Sequence, residues 1–113
     1  MPKFKLAIAD TIGVLVKGAY MDENAAEKEF SFTLFCVRLA NEELRQLSEK
    51  YPTAFEFLRA HARGWKDQTL VVDEANQPAP FSPDALEVLL NMGGMASLCY
   101  SAYRAQVTVT AKN

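Results

Sequence analysis

A chain of 113 residues fits one domain and is too short for two. Half of its residues are hydrophobic and 11% are aromatic, enough for a core that needs no covalent staple. Twelve basic against fourteen acidic residues leave a formal charge of −2, without the cationic excess that a phosphate backbone demands, so no nucleic-acid partner is expected. Cys36 and Cys99 lie far apart with no CxxC or CxxH spacing and read as two buried thiols in a reducing compartment. Within residues 1–20, Lys3 and Lys5 are followed by alternation, and Asp10 breaks any signal-peptide core. The apolar run at 85–92 contains Glu87 and is far too short to span a bilayer, so no membrane partner is expected either.

The first third reads as β. Phe4, Leu6 and Ile8 alternate with Lys5 and Ala7, and Ile12, Val14 and Val16 repeat the period of two. A polar run at 21–29 reads as a solvated, mobile loop. In residues 30–37, Phe30, Phe32, Leu34 and Cys36 share one face and Ser31, Thr33, Phe35 and Val37 the other. The second face turns apolar partway along, which predicts a strand covered on both sides near its end. The natural pairing is a long hairpin joining about 12–19 to 29–38.

The remainder reads as α. Asn41 is the expected N-cap of a helix whose first turn carries Glu42 and Glu43, with Leu44, Leu47 and Tyr51 on one face. Pro52 is expected to open a second helix through Phe55, Leu58 and Ala62 that Gly64 ends. The branched run at 69–72 predicts a strand or extended segment, and 74–78 a turn. Ser82-Pro83-Asp84 is the clearest local signal: a serine cap, proline at the first helical position and an acid behind it, opening a helix to about Met92. Gly93-Gly94 breaks it. Met95, Leu98, Cys99, Ala102, Tyr103 and Gln106 then fall on one stripe of a last helix, and 107–113 is expected to fray. The fold class expected is α+β, a single domain over 1–113 with an N-terminal hairpin packed on about four helices.

Chemistry is sparse. His61 is the only histidine, has no nucleophile motif near it, and reads as a partly exposed helix residue. One histidine and two cysteines fall short of the four ligands a structural zinc usually takes, so neither metal nor cofactor is expected. Asp73-Glu74 lacks the alternating oxygens of a calcium loop, and Gly93-Gly94 lacks the lysine and hydroxyl of a phosphate loop. The helices around 41–50 and 53–63 could imitate a helix-turn-helix through Arg59, His61 and Arg63, but Glu56 and the core-type residues Phe55, Phe57 and Leu58 crowd that segment. The large apolar residues are more numerous than so small a core needs. Phe35, Val37, Phe57 and Tyr100 fall off the assigned stripes and, with Phe55, are the candidate protein-interface residues.

The order of these pieces resembles a family. It is carried by the strand at 30–39 running straight into an acidic helix start, then by Trp65, Val71-Val72-Asp73-Glu74, the stretch from Pro78 through Ser82-Pro83-Asp84 to Leu90, Ala96, Leu98, Ala102-Tyr103 and Lys112-Asn113. Together these are similar to the tail assembly chaperones of long-tailed bacteriophages, over about residues 12–113. The first dozen residues and the break at 92–95 depart from that layout. The resemblance implies a non-enzymatic role: binding the tape measure protein, helping to recruit tail tube subunits, and self-associating into a ring or spiral. It places the chain in the host cytoplasm and outside the mature virion. It also implies a longer form that would reach the tail tube protein, made by a backward ribosomal slip near Ala111-Lys112-Asn113, whose codons can carry a run of adenines. The runner-up is a small phage or bacterial adaptor with another protein partner. The expected docking sides are the hairpin with its 21–29 loop and the helix near 53–63.

Overall fold

The alternation of apolar residues becomes two long strands in the computed structural model, which describes residues 3–112. Strand β1 (Thr11–Met21) pairs antiparallel with β2 (Glu27–Val37), from Thr11 opposite Val37 at the base to Met21 opposite Glu27 at the tip. Five residues close this hairpin rather than the long mobile loop expected at 21–29. The Asp22 carboxylate accepts the backbone N–H groups of Asn24 and Ala26 at 2.8 and 2.9 Å, an Asx-type closure with Ala25 at φ 60°.

A third strand, β3 (Ala62–Lys66), pairs antiparallel with the basal part of β2, giving the order β1-β2-β3. This element replaces the helix end read at Gly64. Helix α3 (Ala54–His61) stops at Ala62, whose extended backbone carries the chain directly into the sheet. Phe35 faces Gly64 and Cys36 faces Ala62, so Arg63 is an extra residue, a bulge that lets Ala62 sit in the core.

The helices lie on one side of the sheet. A first helical stretch is broken at Gln46 into α1 (Asn41–Arg45) and α2 (Leu47–Lys50), followed by α3, α4 (Pro83–Leu90) and α5 (Met95–Val107). With the antiparallel sheet they make the α+β fold expected. Ser82 caps α4 through the Ala85 N–H at 3.0 Å with Pro83 behind it, as read, although the helix stops at Leu90. Two helix starts differ from the reading. Ala40, not Asn41, precedes α1, and its N–H is met by the Glu43 carboxylate; α3 opens at Ala54 and not at Pro52, with Thr53 as its cap accepting the Glu56 N–H.

The core fills the space between sheet and helices. Val14, Val16, Phe32, Leu34 and Cys36 from the sheet meet Phe57, Leu58, Leu86, Leu89, Cys99 and Tyr103 from the helices, all essentially inaccessible to water. Each large side chain so buried contributes about 1.5–3 kcal/mol. Tyr103 also ties the end of β2: its hydroxyl donates to the Val37 carbonyl at 2.8 Å and accepts the Leu39 N–H at 3.2 Å.

The 67–81 connection is pinned from within. Gln68 is buried and bonds both backbone groups of Val71 and the Ala79 carbonyl, while the Trp65 indole also donates to Ala79. Of the strand or extended segment expected at 69–72, the strand pairing amounts to a single bridge between Val72 and Pro78. Two terminal readings change as well. Residues 3–10 form no strand, and Val107 is buried at the end of α5, leaving only 108–112 without regular structure. Asn113, the last residue of the slippage site, lies outside the described residues.

Candidate interaction surface

The sheet has two unlike faces. Even-numbered β1 and β2 residues point at the helices; odd-numbered ones point away, and there no helix covers them. The exposed face carries Leu15 at 45% exposure beside half-buried Thr33, Phe35 and Val37. The covering expected on both sides of β2 near its end is only partial: Val37 packs against the core, whereas Phe35 does not. Phe35 holds this face together by lying across glycines on both neighbouring strands. A Cβ on Gly13 would stand 3.3 Å from its ring, and one on Gly64 3.6 Å.

The distal half of the hairpin runs on beyond β3 as a two-stranded arm. Its helix-facing side rests on α5 through Phe30 and Leu98, which close over Gly18 so tightly that a Cβ there would meet them at 2.6 and 2.9 Å. Between the arm and the α4–α5 junction lies a hollow of about 420 Å³ lined by Tyr20, Phe30, Met92, Met95 and Leu98 among others. An open concavity of about 670 Å³ lies along the arm, walled by Lys17, Ala19, Glu27, Glu29 and Ser31. Tyr20 and Met21 leave the tip partly apolar.

The free edge of β1 is guarded at one point. Gln106 on α5 accepts the Leu15 N–H at 2.8 Å and donates to the Leu15 carbonyl at 2.7 Å, in the manner of one residue of an adjacent strand. Since both backbone groups of Leu15 point outward, those of Thr33 opposite it point toward β3.

The five interface residues read from the sequence do not form one patch. Phe35 and Val37 are on the open sheet face, Phe35 centrally and Val37 at its end, where it also touches the core. Phe55 is half-buried on α3 with the Arg59 guanidinium 5.9 Å from its ring centre. Tyr100 is half-buried and packs edge-on against Phe57 at 5.3 Å. Phe57 is only 1% exposed, stacked on His61 and tilted against Tyr103, so it belongs to the core and can contact no partner. Leu15, Tyr20 and Met21 were not among the residues read, although the odd positions of β1 share a face with Phe35.

The chemistry-bearing side chains sit in structural settings. His61 has Nδ1 2.9 Å from the Phe57 carbonyl and its ring between Phe57 and Tyr51. The crevice beside it, about 30 Å³ near Glu43, Lys50 and Tyr51, has room for little more than a water molecule. Burial pushes the Cys36 thiol up to about 12, with Cys99 adding to the shift and Arg63 opposing it; burial does the same to Cys99. Neither thiol is a nucleophile at neutral pH. Asp73 repeats the Asp22 closure, accepting the Ala75 and Gln77 N–H groups at 2.8 and 3.0 Å. Among the described residues no group of three or more His, Cys, Asp or Glu side chains could hold a metal ion, and no helix is long and apolar enough to cross a membrane. Comparison with protein-family models, with curated proteins and with solved structures finds no match.

Proposed function

We propose that this chain is a tail assembly chaperone, which holds the tape measure protein and helps bring tail tube subunits to it in the host cytoplasm. The observation that carries the reading is a small apolar patch on the sheet face left open by the helices, exposed Leu15 with half-buried Phe35 and Val37, in a chain whose layout resembles that family. The physical logic is shielding. A long helix with exposed apolar residues aggregates alone, and many small copies with an open apolar face protect it by binding the soluble form in preference to the aggregate. Self-association lets successive copies coat such a helix, and a head-to-tail contact gives a ring or spiral according to whether it closes. Tube subunits would be met by a longer form extended past the C-terminal tail.

Co-expression with a tape measure protein from the same genome tests the reading. The wild-type chain keeps the tape measure soluble and co-purifies with it. Leu15→Asp places a charge on the open face at a site too exposed to harm the fold, and reduces the soluble complex at least fivefold. A tape measure protein that stays insoluble beside the wild-type chain would reject the proposal and leave the adaptor reading.

A further inference from the structure

Residues 3–8 carry a strand pattern that their own fold does not use. Phe4, Leu6 and Ile8 alternate with Lys3, Lys5 and Ala7, and the three apolar side chains are 86%, 78% and 55% exposed. Elsewhere in the molecule β2 has an unpaired stretch. Strand β3 ends at Lys66 opposite Thr33, and the chain then turns away through Asp67 at φ 65°. The backbone groups of Glu27, Glu29 and Ser31 have the same parity as those of Thr33, so they point past the end of β3.

We propose that residues 3–7 of one copy add to this stretch, residues 27–31 of β2, as an antiparallel strand in a second copy of the chain. This deepens the self-association part of the proposed function by naming the segment and the edge that join.

Charge selects the edge. With Lys5 opposite Glu29, Lys3 lies opposite Ser31 and diagonal to Glu29, and Ala7 lies opposite Glu27 with Lys5 on its diagonal. Opposite charges so placed attract across a ladder. The same register sets Phe4 beside Phe30, a wall of the hollow beneath the arm. The free edge of β1 is worse on both counts: it presents Lys17 to the incoming lysines, and Gln106 already holds Leu15.

Reach excludes the chain's own segment. Thr11 is at the hairpin base, and the nearest end of the unpaired stretch, Ser31, lies opposite Lys17. Those six residues of β1 span about 20 Å at about 3.3 Å each. The four residues from Ala7 to Thr11 span at most about 14 Å. The donor is therefore another copy; each copy gives one strand and accepts one, so the contact closes as a dimer where two copies exchange strands and propagates head-to-tail where they do not.

Light scattering and sedimentation over a concentration series test the strand. The wild-type chain assembles. Leu6→Lys, at a residue too exposed to matter for folding and opposite Lys28 in this register, raises the concentration needed for half-assembly at least tenfold, with circular dichroism unchanged. Lys5→Glu and Glu29→Lys each weaken assembly, and an equimolar mixture of the two restores it, because every contact in an alternating chain then pairs unlike charges. Assembly indifferent to Leu6→Lys, or a mixture that fails to recover, would overturn the strand and leave self-association standing through another surface. A wild-type chain that stays monomeric throughout would overturn both.

Discussion

The two faces of the sheet are made by the same strands in the same register, yet they have different fates. On the even face Val14, Val16, Phe32, Leu34 and Cys36 lose essentially all contact with water. On the odd face Leu15 keeps nearly half of its surface, and Phe35 is shielded chiefly by lying over two glycines. Alternation decides which residues share a side; it does not decide which side the helices take. That choice is made by the helices, whose apolar stripes have room for one face only, so the leftover apolar residues mark the side available to partners.

The largest test of the contrast is a matched pair of truncations. Leu34→Ala opens a cavity against the helices and costs about 2–5 kcal/mol in denaturant unfolding, whereas Leu15→Ala costs about 0.5 kcal/mol or less. Equal losses would mean that the odd face is covered in solution, and would undo the comparison.

A second test uses the thiols, both of which lie on the covered side. In the folded chain they hold their protons up to about 12, while the unfolded chain releases them near 9.0. Between those values the unfolded state binds fewer protons, so stability is full below pH 9 and falls as pH rises toward 12. Each thiol contributes a loss of about 1.4 kcal/mol per pH unit across that window. Unfolding measured from pH 8 to 11 shows the decline, and Cys36→Ala with Cys99→Ala removes it below pH 10 after a constant offset from the lost packing, leaving above pH 10 the part due to Tyr103, whose hydroxyl burial also holds above its usual range. A slope unchanged by the substitutions would place its origin elsewhere.

The smallest effect sharpens the contrast most. Leu15→Thr puts a β-branched, strand-favouring residue in place of the leucine, changes stability by no more than about 0.5 kcal/mol, and still lowers retention of the tape measure protein in the co-expression assay. A variant that retains it fully would show that the odd face is bare without being used.

Much of this architecture was legible from local patterns and much was not, for identifiable reasons. The hairpin, the Ser82 cap, the Gly93-Gly94 break and the last helix each rest on a short-range signal, and each appears where it was read, give or take a few residues. Strand β3 was hidden because Gly64 reads as helix punctuation, whereas its role is to leave room for the Phe35 ring across the ladder. Phe57 was misplaced because α3 buries it between Tyr100, Tyr103 and His61, three side chains brought there by different elements. Phe4, Leu6 and Ile8 have a faithful strand pattern with no strand partner among the described residues of their own chain. Pattern predicts the strand; only topology shows whether a place for it exists nearby.

The Gln106 clip on Leu15 carries a consequence for how the molecule comes into being. Its partners stand 91 residues apart in sequence, whereas the hairpin ladder is closed by a five-residue loop. Loop-closure entropy grows with separation, so the ladder is favoured to zip early and the clip to close late. On a ribosome the order is stricter still, because β1 and β2 are made long before Gln106, so the outer edge of β1 stays unclipped at least until the last helix has been translated. Through that interval the nascent chain presents open strand edges close to other nascent copies, and premature pairing competes with folding. Gln106 thus ends the vulnerable period by withdrawing the middle of β1 from further pairing once the fold is complete.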